Sequence, residues 1–225
     1  MKYLFYIITC FLLACNTNSE PDTKTVATPT FWNDIQNFKK QDSIHFPPKK
    51  AILFIGSSSF TKWTDVQDYF PGYTIINRGF GGSTLLDEIR YVDDIVFPYQ
   101  PKQIIIYCGE NDLASSDTVS AAMVLDRFKQ LFQMIRNKSE ASIAYISMKP
   151  SPSRRHLFLK MREGNQLIKD FLTKQKNTAF IDVHQKMLNA AEEPMPEIFL
   201  DDSLHMNAKG YDIWQKEIQP YLLKD

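Results

Sequence analysis

Asp202 and His205 stand three residues apart near the C-terminus, in the run Asp201-Asp202-Ser203-Leu204-His205. A carboxylate and an imidazole so spaced can share one turn of backbone. The acid then accepts one ring N–H and leaves the other ring nitrogen to take a proton. Early in the chain comes Phe54-Ile55-Gly56-Ser57-Ser58-Ser59. Gly56 permits a sharp turn, after which a serine can present its hydroxyl beyond the end of a buried strand. A serine hydroxyl is a weak nucleophile until a base removes its proton, and neutral imidazole suits that task near pH 7. The two segments together point to serine hydrolase chemistry.

Two further segments could serve the same reaction. Asn77-Arg78-Gly79-Phe80-Gly81-Gly82-Ser83 crowds glycines where backbone N–H groups can approach a ligand, and Gly109-Glu110-Asn111-Asp112 offers a side-chain amide. Taken singly, each segment has a plainer reading. A serine run is ordinarily a turn or helix cap, and Asp-x-x-His is ordinarily a capping pair. Gly79-x-Gly81-Gly82 is not GxGxxG and lacks the Lys-Ser/Thr of a phosphate loop. Four such segments in this order along one folding pattern are harder to dismiss.

That pattern is alternating. Ala51–Gly56, Tyr73–Asn77, Gln103–Cys108, Ser142–Ser147 and Thr178–Val183 are short apolar runs of the kind buried on both faces of a parallel sheet. Helical stripes lie around them, at Phe31 to about Ile44, Leu85–Val96, Val119–Arg136 and His156–Lys174, with a last helix capped by Asn207. The order predicts an α/β fold, a three-layer αβα sandwich on a central five-stranded parallel sheet of flavodoxin-like type. In such sheets sites lie beyond the carboxyl ends of the strands, where all four segments would fall. Trp63 and Trp214 read as core residues on helical stripes.

From Ile52 to about Trp214 the chain resembles the SGNH (GDSL-type) hydrolases, whose four blocks match Gly56–Ser59, Asn77–Ser83, Gly109–Asp112 and Asp202–His205. The resemblance implies Ser58 as nucleophile, His205 as base and Asp202 as its orienting acid. It also implies an oxyanion hole from the Ser58 N–H, the Gly82 N–H and the Asn111 side chain, and no metal or organic cofactor. The first block departs from the usual Gly-Asp-Ser, with Ser57 in place of the aspartate, so the choice among Ser57, Ser58 and Ser59 rests on alignment.

Four more residues are candidates for lining the substrate. Arg78 and Glu110 flank the implied oxyanion residues and could line the cleft or pair with each other. Lys149 and Arg154 sit in Lys149-Pro150-Ser151-Pro152-Ser153-Arg154, which is either a substrate-facing loop or a Pro-stiffened surface loop. Cys108 reads as a buried, inert thiol.

The ends and the composition bound the rest. Residues 1–14 read as a signal peptide, with a basic start and about a dozen apolar residues, too few to span a membrane. Leu12-Leu13-Ala14-Cys15 resembles a bacterial lipobox, which implies cleavage before Cys15 and lipidation of its thiol. Residues 15–30 form a polar tether of roughly 50 Å if extended, and 31–225 form the catalytic domain. Cys108 would then be the one thiol left unmodified, excluding an intramolecular disulfide in the mature chain. With 26 basic and 26 acidic residues and no basic stripe, nucleic acid is not an expected partner. No HExxH, H-x-H or CxxC spacing indicates a metal.

The expectation is an envelope lipoprotein, periplasmic or surface-exposed, held to the membrane through Cys15. Its expected reaction is hydrolysis of short-acyl esters, especially O-acetyl groups on carbohydrate. A lysophospholipase or thioesterase on the same scaffold and a non-catalytic glycan-binding lipoprotein are the rivals.

Overall fold

The structure, a computed structural model, describes residues 28–224. The expected signal peptide, Cys15 and most of the tether lie outside the described residues. All the described elements belong to the unit that begins at Phe31.

Five strands form one sheet: β1 (Ile52–Gly56), β2 (Ile75–Gly79), β3 (Gln103–Tyr107), β4 (Ser142–Ile146) and β5 (Thr178–Ile181). Every pairing is parallel and the spatial order is β2-β1-β3-β4-β5. Both faces of the inner strands are apolar because alternate residues feed separate cores. Leu53, Ile55, Ile104, Ile106 and Tyr145 point into one, and Ile52, Phe54, Ile105, Tyr107 and Ile146 into the other.

Helices cover both faces, giving the expected αβα layering. On the first face lie α1 (Trp32–Ile44), α4 (Leu85–Ile95), α6 (Ala121–Arg136) and α7 (Phe158–Leu172). On the second lie α2 (Ser58–Thr61), α3 (Val66–Tyr69) and α8 (Ala208–Ile218), and a six-residue α5 (Glu110–Ser115) follows β3. Capping follows the sequence. The Asn207 side chain accepts from the amides of Lys209 and Gly210 at the start of α8, and Ser120 caps α6 through Met123 N–H.

Three expectations need correction. β2 begins two residues later than the Tyr73–Asn77 run and carries Asn77 and Arg78 within the strand; as an edge strand it tolerates polar side chains. Trp63 is fully buried but lies between α2 and α3 rather than on a helix. It stacks on Tyr211 with ring centroids 4.7 Å apart, in an aromatic cluster with Trp214 and Phe60 that seats α2 against α8. The short α2, α3 and α5 leave no mark in the sequence pattern, because four to six residues show no helical period.

Strand order reverses direction at β1: the chain leaves it toward β2 and returns past it to β3. The crevice between the carboxyl ends of β1 and β3 is therefore the switch point where such sheets hold ligands.

Candidate active site

β1 runs straight into that crevice. Gly56 ends it at φ 141°, and a Cβ there would fall 1.9 Å from the Tyr107 carbonyl oxygen, so only glycine lets the backbone pass so close to β3. The chain then turns into α2, whose first residue is Ser58. Ser57 and Ser59 are 4% and 3% exposed, whereas Ser58 is only partly buried and its Oγ lies 2.9 Å from His205 Nε2. A single helical turn cannot hold its own direction. Outside bonds fix it: Tyr211 OH donates to the Ser59 carbonyl at 2.9 Å and Asn77 Nδ2 to the Phe60 carbonyl at 2.7 Å.

The Asp202–His205 loop is closed by its own backbone. Leu200 N–H donates to the His205 carbonyl and Ser203 N–H to the Leu200 carbonyl, each at 2.8 Å, with Ser203 in the left-handed region at φ 55°. Asp202 Oδ1 accepts the amides of Leu204 (3.0 Å) and His205 (2.9 Å), while Oδ2 lies 2.6 Å from His205 Nδ1. The bond from the His205 ring, then those from the backbone, hold the Asp202 carboxyl well below the usual carboxylate range. An ionised Asp202 calls for hydrogen on Nδ1, so Nε2 faces Ser58 with its lone pair and accepts the hydroxyl proton.

Two loops bring donors to the same place. Phe80 N–H bonds the Gly56 carbonyl at 2.9 Å, which lays the glycine segment beside Ser58; a Cβ on Gly81 would lie 3.9 Å from Ser58 Cβ. Gly82 follows at φ 90°. Asn111, in the first turn of α5, donates one Nδ2 hydrogen to the Ser83 carbonyl at 3.0 Å. Among the described residues nothing accepts a hydrogen bond from the amide of Ser58 or Gly82. Those amides and the second Asn111 hydrogen remain available to an oxygen that gains charge next to Ser58.

The chain matches the GDSL-like Lipase/Acylhydrolase family over residues 54–213, a span that includes all four segments. The chain belongs to that family. It is a carboxylic ester hydrolase. No curated protein matches it by sequence. Solved structures share the fold of this GDSL-like hydrolase at low identity. One is described as an acylhydrolase from Bacteroides fragilis, with TM-score 0.74, 20% identity, and 84% of this chain and 96% of that chain covered. A GDSL-like lipase from Bacteroides thetaiotaomicron gives TM-score 0.72 and 19% identity over 83% and 96%. A catalytic mutant of an acetylxylan esterase from Geobacillus stearothermophilus gives 0.63 and 15% over 80% and 96%.

The hydrolase carries a buried charge cluster behind Asn111. Glu110 and Lys149 are 4% and 1% exposed, with Lys149 Nζ 3.2 Å from Glu110 Oε2. Tyr107 OH donates to the same Oε2, and Arg154 Nη1 donates to Oε1 at 3.1 Å. Burial by itself would raise the Glu110 carboxyl, but Lys149 and Arg154 outweigh it and hold it below the ordinary value. Burial pulls the Lys149 ammonium down against the opposing pull of Glu110.

This placement revises the candidates for substrate lining. Arg78 is turned away from the crevice, 2.5 Å from Asp42 on α1 and bonded to Tyr99 OH at 2.7 Å, so it pairs with neither Glu110 nor the cleft. Glu110 and Lys149 are consumed in their own ion pair. Of the four, Arg154 alone reaches a site residue, donating to Asn111 Oδ1 at 2.8 Å. Cys108 is buried, and burial pushes its thiol well above the ordinary value, as an inert cysteine requires. Among the described residues no cluster of side chains could hold a metal ion.

Proposed function

We propose that this hydrolase is a serine esterase that removes short acyl groups, foremost O-acetyl groups on carbohydrate, through an acyl-enzyme on Ser58. The observation that carries the reading is the unbroken chain from Asp202 Oδ2 to His205 Nδ1 at 2.6 Å and from His205 Nε2 to Ser58 Oγ at 2.9 Å. Ser58 Oγ attacks the ester carbonyl carbon as its proton passes to His205 Nε2. Ionised Asp202 stabilises the imidazolium. The carbonyl oxygen becomes an oxyanion and takes hydrogen bonds from the Ser58 and Gly82 amides and Asn111 Nδ2. His205 then protonates the leaving alkoxide, deprotonates a water that attacks the acyl carbonyl, and returns the proton to Ser58 as the acid departs.

Two observations support a short acyl group and a sugar alcohol. Beside Ser58 lie the His205 ring and Gly81, on which a Cβ would fall 3.9 Å from Ser58 Cβ, a polar group and a small one that suit acetyl better than a fatty chain. The shared fold with an acetylxylan esterase makes carbohydrate esters the first substrates to try.

Hydrolysis of para-nitrophenyl acetate and octanoate, followed by acetylated xylo-oligosaccharides, tests the reading. The acetyl ester should be preferred by about tenfold or more in kcat/KM, since each misplaced methylene is worth roughly 1–3 kcal/mol. Octanoyl preference would favour the lipase rival.

A further inference from the structure

Asn111 is held from both ends. Its Nδ2 donates to the Ser83 carbonyl at 3.0 Å, and its Oδ1 accepts from Arg154 Nη2 at 2.8 Å. The second contact removes an ambiguity that any carboxamide has. Guanidinium only donates, so it can face the amide oxygen and never the amide nitrogen. A carbonyl only accepts, so Ser83 can face the nitrogen and never the oxygen. The pair therefore excludes the flipped amide, which would turn an oxygen lone pair toward a developing oxyanion.

Arg154 is itself held by the buried cluster. Its Nη1 bonds Glu110 Oε1 at 3.1 Å while Lys149 and Tyr107 occupy the rest of that carboxylate. Ser151 and Ser153 tie down the turn that carries it: Arg154 N–H bonds the Ser151 carbonyl, and Ser153 N–H bonds the Ser203 carbonyl inside the Asp202–His205 loop, both at 3.1 Å. Arg154 is the cation of that cluster whose guanidinium bridges Glu110 and Asn111. A cation on the amide oxygen also polarises the amide and strengthens its N–H as a donor.

We propose that Arg154 is a positioning residue for ester hydrolysis, acting through Asn111 by fixing its amide with nitrogen toward the oxyanion and by strengthening that donor. The proposal rests on the esterase reading above and goes beyond it, because Arg154 touches neither the nucleophile nor its base.

A double-mutant cycle in kcat on para-nitrophenyl acetate tests it, with Asn111→Ala, Arg154→Ala and both together in the full-length protein. Arg154→Ala should lower kcat by on the order of tenfold or more with KM within about twofold, because the lost stabilisation exists only in the transition state. Added to Asn111→Ala it should cost nothing further, within about twofold. Arg154→Lys keeps a charge beside Glu110 but cannot fork onto Asn111, so it should fall with Arg154→Ala and leave the melting temperature near that of the wild type. Losses that multiply in the double variant, a rise confined to KM, or full rescue by lysine would overturn the role. Wild-type protein that hydrolyses none of the esters would instead overturn the esterase reading, and this proposal with it.

Discussion

Three serines share the end of β1, and their surroundings distinguish them: among the described residues Ser58 alone of the three meets His205, while Ser57 and Ser59 are buried. Behind the glycine segment, Glu88 is wholly buried, accepts Ser83 Oγ at 2.9 Å, and has no partner for its second oxygen among the described residues. Burial, partly offset by that serine bond, raises its carboxyl from 4.5 to about 8. A carboxyl raised on folding stabilises fully while both states are protonated, and its contribution falls as the unfolded chain ionises. Stability should therefore decline from about pH 4.5 to about pH 8 and level off above. Glu88→Gln, which cannot ionise, should flatten that decline in urea unfolding followed across the range; identical slopes would contradict the assignment. At this scale the sequence was unevenly legible. Asp202 and His205 could be paired on paper because one loop holds both. The Arg154–Asn111 contact joins residues 43 apart, and only the parallel register of β3 and β4 brings their following turns together.

Elements were legible where their period was long enough to see. The buried strands and the helices of eleven residues or more follow directly from apolar runs and stripes. The segments that carry the site are of another kind. α2 and α5 have four and six residues, and what sets them is glycine geometry at the strand ends, with Gly109 at φ 118° before α5. Gly56 makes the point testable. Alanine there must either push β3 aside or abandon φ 141°, a conformation L-residues rarely adopt. Gly56→Ala should cost about 3 kcal/mol or more, a fall in melting temperature of roughly 6–12 °C for a domain of this size. An unchanged melting temperature would show that the strand end relaxes freely. Activity should fall with stability, since the same turn aims Ser58.

On the scale of the whole molecule, the sheet puts Ser58 after β1, Asn111 after β3, and Asp202 and His205 after β5, all beyond the carboxyl ends of the strands. Chemistry that looked like four unrelated turns becomes a single site because parallel strands deliver their ends together. Residues 1–30 raise a separate question, for which we propose a lipid anchor on Cys15. Metabolic labelling with a palmitate analogue should mark the wild type and not Cys15→Ser, and equal labelling of both would rule the anchor out. The central claim is that Ser58, activated by His205, is the nucleophile. Fluorophosphonate labelling with the adduct mapped by mass spectrometry tests it most directly. The account predicts one adduct on the Ser58 side chain, absent from Ser58→Ala and slowed at least about a hundredfold in His205→Ala. An adduct on another residue, or labelling undiminished in Ser58→Ala, would contradict it.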